Sequence, residues 1–136
     1  LCTLGFRGKL GQTFATLELR HGGKKVTLMA LRDTGNTLRD PVTGEAVLIV
    51  GAEAAQKLLG MTGQEVGCPV ETMASGKYSG LRLIPYRAVG QSCGMLLGIR
   101  LDEVVLGGVR TNTLVAFTAE GLSGAGEYQA LAGGAI

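Results

Sequence analysis

A mainly β fold is the expectation for this chain, and three features set it. The 136 residues include 23 glycines, scattered singly and in pairs without a period. That pattern argues for many tight turns rather than a collagen-like or linker sequence. Apolar residues come in short runs, several alternating with polar ones as half-buried strands do. Aromatic residues are sparse and tryptophan is absent. The length suits one domain, 1–136, large enough to bury a core, with one or two short helices.

Residues 13–20 alternate through Phe14, Ala15, Thr16, Leu17, Glu18 and Leu19, a strand with one polar side. His21-Gly22-Gly23-Lys24 is a turn, and residues 25–31 return as the second arm of a hairpin through Val26, Leu28 and Ala30. Residues 38–43, containing Asp40-Pro41, read as loop. Residues 46–50 form a short buried strand, and 52–59 the clearest helix, ended by Gly60. Residues 61–80, rich in Gly and Ser, read as surface loop or irregular strand. Residues 81–88 and 95–106 alternate on either side of a glycine-bounded tip, Val89-Gly90-Gln91-Ser92-Cys93-Gly94, which describes a projecting hairpin. Gly107-Gly108 turns the chain into a strand over 113–119, and Gly121-Leu122-Ser123-Gly124 opens a last helical segment, 127–132.

Thirteen Lys and Arg against eleven Asp and Glu leave a net charge of +2, so nothing calls for nucleic acid. Cys2, Cys68 and Cys93 lack metal-ligand spacing, and the single His21 sits in a turn. Free thiols are expected, with no metal and no cofactor. No apolar stretch approaches the roughly 20 residues that span a membrane, and no signal peptide opens the chain. The chain starts Leu-Cys-Thr without an initiator Met. It reads as a domain of a longer protein whose membrane anchor would lie elsewhere.

Asp33-Thr34-Gly35 is the most informative motif, and it occurs once. An apolar strand runs straight into an acid, a small hydroxyl residue and a glycine. The carboxylate would sit at the tip of a tight loop, the hydroxyl would brace that loop, and the glycine would allow close backbone approach. Three turn-forming residues also make an ordinary loop, so the motif needs context. The order of elements supplies it: hairpin, Asp-Thr-Gly, buried strand, glycine-tipped hairpin, strand, apolar-x-Gly, short helix. That is the order of one lobe of an aspartic protease, a retropepsin-like closed β-barrel with one lobe per chain. Asp33 is then the catalytic acid, and Thr34, Gly35 and Asn36 complete its loop. The hairpin resembles the pepsin-type flap, which implies that Tyr86, Val89, Gly90, Gln91 and Gly94 would belong to a substrate-binding flap. Leu122 and Gly124 would form the supporting loop beneath the site, with Leu96-Leu97-Gly98 ranked second. One acid per chain requires a homodimer to complete the dyad.

Three separated stretches carry a narrower resemblance: 31–41 (LRDTGNTLRDP), 82–90 (RLIPYRAVG) and 126–131 (GEYQAL). Together they resemble the C-terminal domain of the sporulation sigma-E factor processing peptidases, the SpoIIGA family, over nearly the whole chain. The resemblance implies an aspartic endopeptidase that removes the pro-sequence of the sigma-E precursor in the mother cell. It also implies an N-terminal membrane-spanning domain in the full-length protein, held in the mother-cell membrane at the sporulation septum. This domain would face the cytoplasm, and a forespore-derived signalling protein would act through the full-length protein.

Asn36 replaces the Ala or Ser common in aspartic proteases at large but agrees with the narrower family. Arg32 departs from the apolar residue generally found before the acid. It could point toward Asp33 and depress its pKa, or occupy the solvent face of the strand end. Two other functions compete with the protease. A catalytically silent retropepsin-like binding or dimerisation module shares every fold feature. A phosphoryl-transfer role for Asp33 has less support, because no P-loop Lys and no second strand-end acid accompany it.

Overall fold

Glycine closes the first hairpin. In the computed structural model, which describes residues 12–33, 38–87, 93–119 and 128–133, β1 (Gln12–His21) and β2 (Lys24–Asp33) pair antiparallel over ten residues each. Gly22 and Gly23 between them have φ of 58° and 81°. A two-residue turn whose twist matches its strands needs positive φ at both positions, which glycine adopts without a Cβ clash. There follow β3 (Val47–Gly51), α1 (Ala52–Leu59), α2 (Gly63–Gly67) and α3 (Pro69–Ala74). Then come β4 (Arg82–Arg87), β5 (Cys93–Ile99), β6 (Glu103–Leu106), β7 (Val109–Arg110), β8 (Leu114–Thr118) and β9 (Ala130–Gly133). The fold is mainly β, as the composition and alternation predict.

The described strands make one sheet in the order β4-β5-β8-β3-β9-β2-β1-β6-β7. Closure of that sheet into a barrel is not among the described pairings. β9 is the last strand in sequence, yet it lies between β2 and β3, parallel to the first and antiparallel to the second. β3 also runs parallel to β8. Leu17, Leu19, Val26, Val50, Phe117 and Ala130 belong to the main core cluster, into which α1 packs Ala54, Ala55 and Leu58. A second, smaller cluster joins Val47, Ile84, Leu96, Leu114 and Ala116, with Leu38 and Tyr86 at its margin. β8 is therefore buried along Leu114 to Phe117, and it reads as a continuous apolar run rather than an alternating one.

Three local expectations change. Residues 61–80 hold α2 and α3 instead of a loop, which brings the described helices to three. Thr62 Oγ1 accepts from the Glu65 backbone N–H at 3.1 Å while Thr62 N–H donates to Glu65 Oε1 at 2.9 Å, a reciprocal cap for α2. Pro69 opens α3, where its missing N–H costs nothing. The expected single strand over 95–106 is two strands on opposite flanks of the sheet. β5 pairs with β4 and β8, whereas β6 pairs with β1. Leu101 stays buried at the crossing, so the apolar alternation continues although the strand does not. Finally, the helix expected over 127–132 is absent: Ala130–Gly133 is β9, because the gap between β2 and β3 takes an extended segment.

Glu65 illustrates what the α2 region contributes. Besides the Thr62 N–H it accepts from the Tyr78 hydroxyl at 2.8 Å and from Lys77 Nζ at 3.3 Å. The Thr62 backbone bond foremost, then Tyr78 and Lys77, bring its pKa from 4.5 down to about 2. A carboxyl whose folded pKa is depressed adds stability above its unfolded pKa, and that stability is lost as pH falls through the folded value. The Glu65 contribution should therefore be complete above about pH 4.5 and disappear toward pH 2. Glu65→Gln should lower the melting temperature at pH 7, and its curve should converge with wild type in acid. Parallel curves down to pH 2 would show that the Glu65 charge does not stabilise the fold.

Candidate active site

Asp33 is the last residue of β2, and β2 lies in the interior of the sheet order. In register it stands opposite Gln12 of β1 on one side and Gly133 of β9 on the other. The strand exit is thus held by backbone ladders from both neighbours, and such a two-sided clamp fixes where the next loop begins. Gln129 adds a brace further down β2. Its N–H donates to the Met29 carbonyl at 2.9 Å, and its Oε1 accepts from the Met29 N–H at 3.1 Å. Thr34, Gly35 and Asn36 lie outside the described residues.

Arg32 falls in line with Val26, Leu28 and Ala30, on the strand positions that face the main core, and is partly buried. Its Nη2 comes within 3.5 Å of where a Cβ on Gly107 would be, so the side chain reaches the β6–β7 turn. The expected solvent-face position does not describe it.

Beyond the site the chain returns at Leu38, whose carbonyl accepts from the Val47 N–H at 3.0 Å. Asp40 follows, 2% exposed. Its carboxylate accepts from Val42 N–H at 3.0 Å, from Thr43 Oγ1 at 3.2 Å and from Arg82 Nη1. The Val42 bond, opposed by burial and supported by Thr43 and Arg82, holds the Asp40 carboxyl below the usual range. It is ionised at neutral pH. A carboxylate this buried needs all of these partners.

The expected flap coincides with the β4–β5 hairpin at one end of the sheet order. Tyr86 and Gly94 stand directly opposite each other. The Tyr86 ring lies over Gly94 so closely that a Cβ there would sit 2.6 Å from Cε1. Further along the hairpin Ile84 lies diagonally across to Gly98, where a Cβ would come within 2.8 Å of Ile84 Cγ1. The two glycines let Tyr86 and Ile84 lie flat across β5. Val89, Gly90 and Gln91 are outside the described residues, as are Leu122 and Gly124 of the expected supporting loop. Leu96-Leu97-Gly98, the second-ranked support, belongs to β5 and is separated from β2 by β8, β3 and β9. Asp33 is flanked, on the side away from β1, by β9, whose Leu131-Ala132-Gly133 ends in the glycine opposite it. Two apolar residues before that glycine were the available signal, masked by a helical reading of 127–132. Among the described residues, no group of three or more His, Cys, Asp or Glu gathers to hold a metal ion. None of the described helices is long and apolar enough to cross a membrane.

The family model described as sporulation factor SpoIIGA matches residues 6–136. The chain belongs to the SpoIIGA family. Among its curated relatives, a sporulation sigma-E factor-processing peptidase of Priestia megaterium is 33% identical over 96 residues, covering 66% of this chain and 31% of the relative. A putative sporulation sigma factor-processing peptidase of Bacillus thuringiensis subsp. kurstaki is 30% identical over 126 residues, covering 85% of this chain and 78% of the relative. The chain thus spans about a third of the first and most of the second. No solved structure matches it. The SpoIIGA resemblance carried by the three sequence stretches is borne out.

Proposed function

We propose that this SpoIIGA-family domain is an aspartic endopeptidase that processes the precursor of a sporulation sigma factor. One observation carries the reading: the only Asp-Thr-Gly begins at the exit of an interior strand clamped on both sides, with Gly133 in register with Asp33. The names of the two relatives support the substrate class.

In this reading two chains associate so that their Asp33 carboxyls meet across a twofold axis. Two carboxyls about 3 Å apart cannot both ionise, so the pair keeps one proton. The ionised partner takes a proton from a water held between them, and that water attacks the scissile carbonyl. The protonated partner donates to the carbonyl oxygen, and the tetrahedral intermediate then collapses with a proton delivered to the leaving amine. Thr34 braces the two loops, and Gly35 and Asn36 shape the passage for substrate. The β4–β5 hairpin, with Tyr86, Val89, Gly90, Gln91 and Gly94, covers an extended peptide and pairs with it as an added strand. The supporting role expected of Leu122 and Gly124 is extended to Leu131-Ala132-Gly133.

The wider setting of this reading is the one that the family resemblance implies. A membrane-spanning N-terminal part would confine the subunits in the mother-cell membrane and raise their effective concentration. A forespore-derived signal would act through that part.

A shared dyad makes a distinctive prediction. Full-length protein co-expressed with a ninefold excess of Asp33→Ala subunits should lose about tenfold in precursor cleavage per wild-type subunit, because most wild-type chains then sit in half-dyads. Cleavage per wild-type subunit that ignores the excess would remove the two-chain dyad and mean that each chain cleaves without a second Asp33.

A further inference from the structure

We infer that Asp40 and Arg82 form a positioning pair that seats the β4–β5 hairpin against the segment leaving Asp33. The functional side of this inference rests on the protease reading above. Arg82 is the first residue of β4, and Asp40 lies 42 residues before it in the chain. β4 stands at the end of the sheet order and borders only β5. The direction in which the hairpin projects therefore depends on what grips its root.

Besides the β5–β8 pairing and the packing of α3 against β4 and β5, two grips come from the segment that follows Asp33. The first is ionic, from Arg82 Nη1 to Asp40 Oδ2. The second is apolar: Leu38 packs against the smaller core cluster, which holds Ile84 and Leu96 of the hairpin. The segment making these contacts is itself stiff. Gly44 N–H donates to the Asp40 carbonyl at 2.8 Å, Asp40 N–H donates to the Glu45 carbonyl at 3.0 Å, and Arg39 bridges to Ala46. A small closed loop thus offers a fixed, 2%-exposed carboxylate to the hairpin root.

The pair is poorly suited to a purely stabilising role. The Arg82 side chain is 43% exposed, so its attraction is screened, and apolar replacements of buried ion pairs are often neutral or better. What a charge-assisted bond between two distant segments supplies is a fixed relative placement. Here it links the segment around Asp40, downstream of Asp33, to the hairpin expected to cover substrate. Neither residue is assigned contact with substrate; both act through what they hold.

The test uses the full-length protein with its sigma-factor precursor and four variants: Asp40→Asn, Arg82→Gln, Arg82→Lys and the Asp40→Asn/Arg82→Gln double. Each of the first two should lower kcat/KM by about tenfold and quicken amide exchange at residues 82–87 and 93–99 to a similar degree, the coupling expected of paired charges. Exchange at residues 24–31 should stay unchanged. The double variant should be no worse than the poorer single, and Arg82→Lys should recover most of the loss. Exchange that is unchanged in the hairpin, or raised equally in every strand with kcat/KM per folded molecule intact, overturns the inference. If Asp40→Asn fails to fold, the partly exposed Arg82→Gln decides alone. A wild type that cleaves nothing defeats the protease reading, and the exchange comparison then still decides the pair.

Discussion

Asp33→Asn should lower precursor cleavage by about a thousandfold or more, since it removes the group that both takes and gives the proton. Asparagine has nearly the shape of aspartate but cannot accept the water's proton. In a dimer both half-sites are lost together, so little residual activity is expected. Folding should survive. The β2 end is held through backbone register with Gln12 and Gly133, and an amide leaves those ladders intact. The check is paired: cleavage of the sigma-factor precursor by the membrane-anchored protein, and a thermal melt of the same variant. Cleavage near the wild-type rate, with the melt unchanged, would remove the aspartic mechanism and leave the binding module in front.

The largest stability effect is expected at Phe117. It is fully buried in β8, opposite Val50 on one side and Leu97 on the other, all three in the main core cluster. Phe117→Ala leaves a cavity that strands paired on both sides cannot collapse into, and such truncations cost about 3–5 kcal/mol. Against a total of about 5–15 kcal/mol for a domain, that is about a fifth or more of the stability. The melting temperature should fall by about 10–20 °C for a chain of this length. Urea unfolding at one fixed protein concentration should show a lower midpoint with an unchanged slope. A loss under about 1 kcal/mol would mean that β8 is not the packed centre of the sheet.

Local signals in the sequence reached a long way. The Gly22-Gly23 turn, the helix Ala52–Leu59 with its left-handed Gly60, and the buried strand after the loop all depend on residues a few positions apart. Each appears in the structure within a residue or two of its expected place. The same holds for Asp33 at a strand exit, since apolar alternation and the turn composition after it are both local. α2 and α3 were legible too. The Thr62-x-x-Glu65 cap and Pro69 are helix-start signals, hidden by the Gly and Ser around them.

The sequence by itself determined the hairpin turns, the main helix, the family and the single acid, because backbone φ, side-chain alternation and motif order are written along the chain. Only the tertiary structure decided that residues 130–133 are a strand, that 95–106 divides between two flanks of the sheet, and that Asp40 meets Arg82. A four-residue apolar stretch has no conformational preference strong enough to choose for itself. It becomes β9 because the edges of β2 and β3 offer hydrogen bonds on both sides, in a register that sets Ala130 beside Ala30 and Gly133 beside Asp33. Those contacts join positions 100 residues apart, beyond the reach of any local pattern.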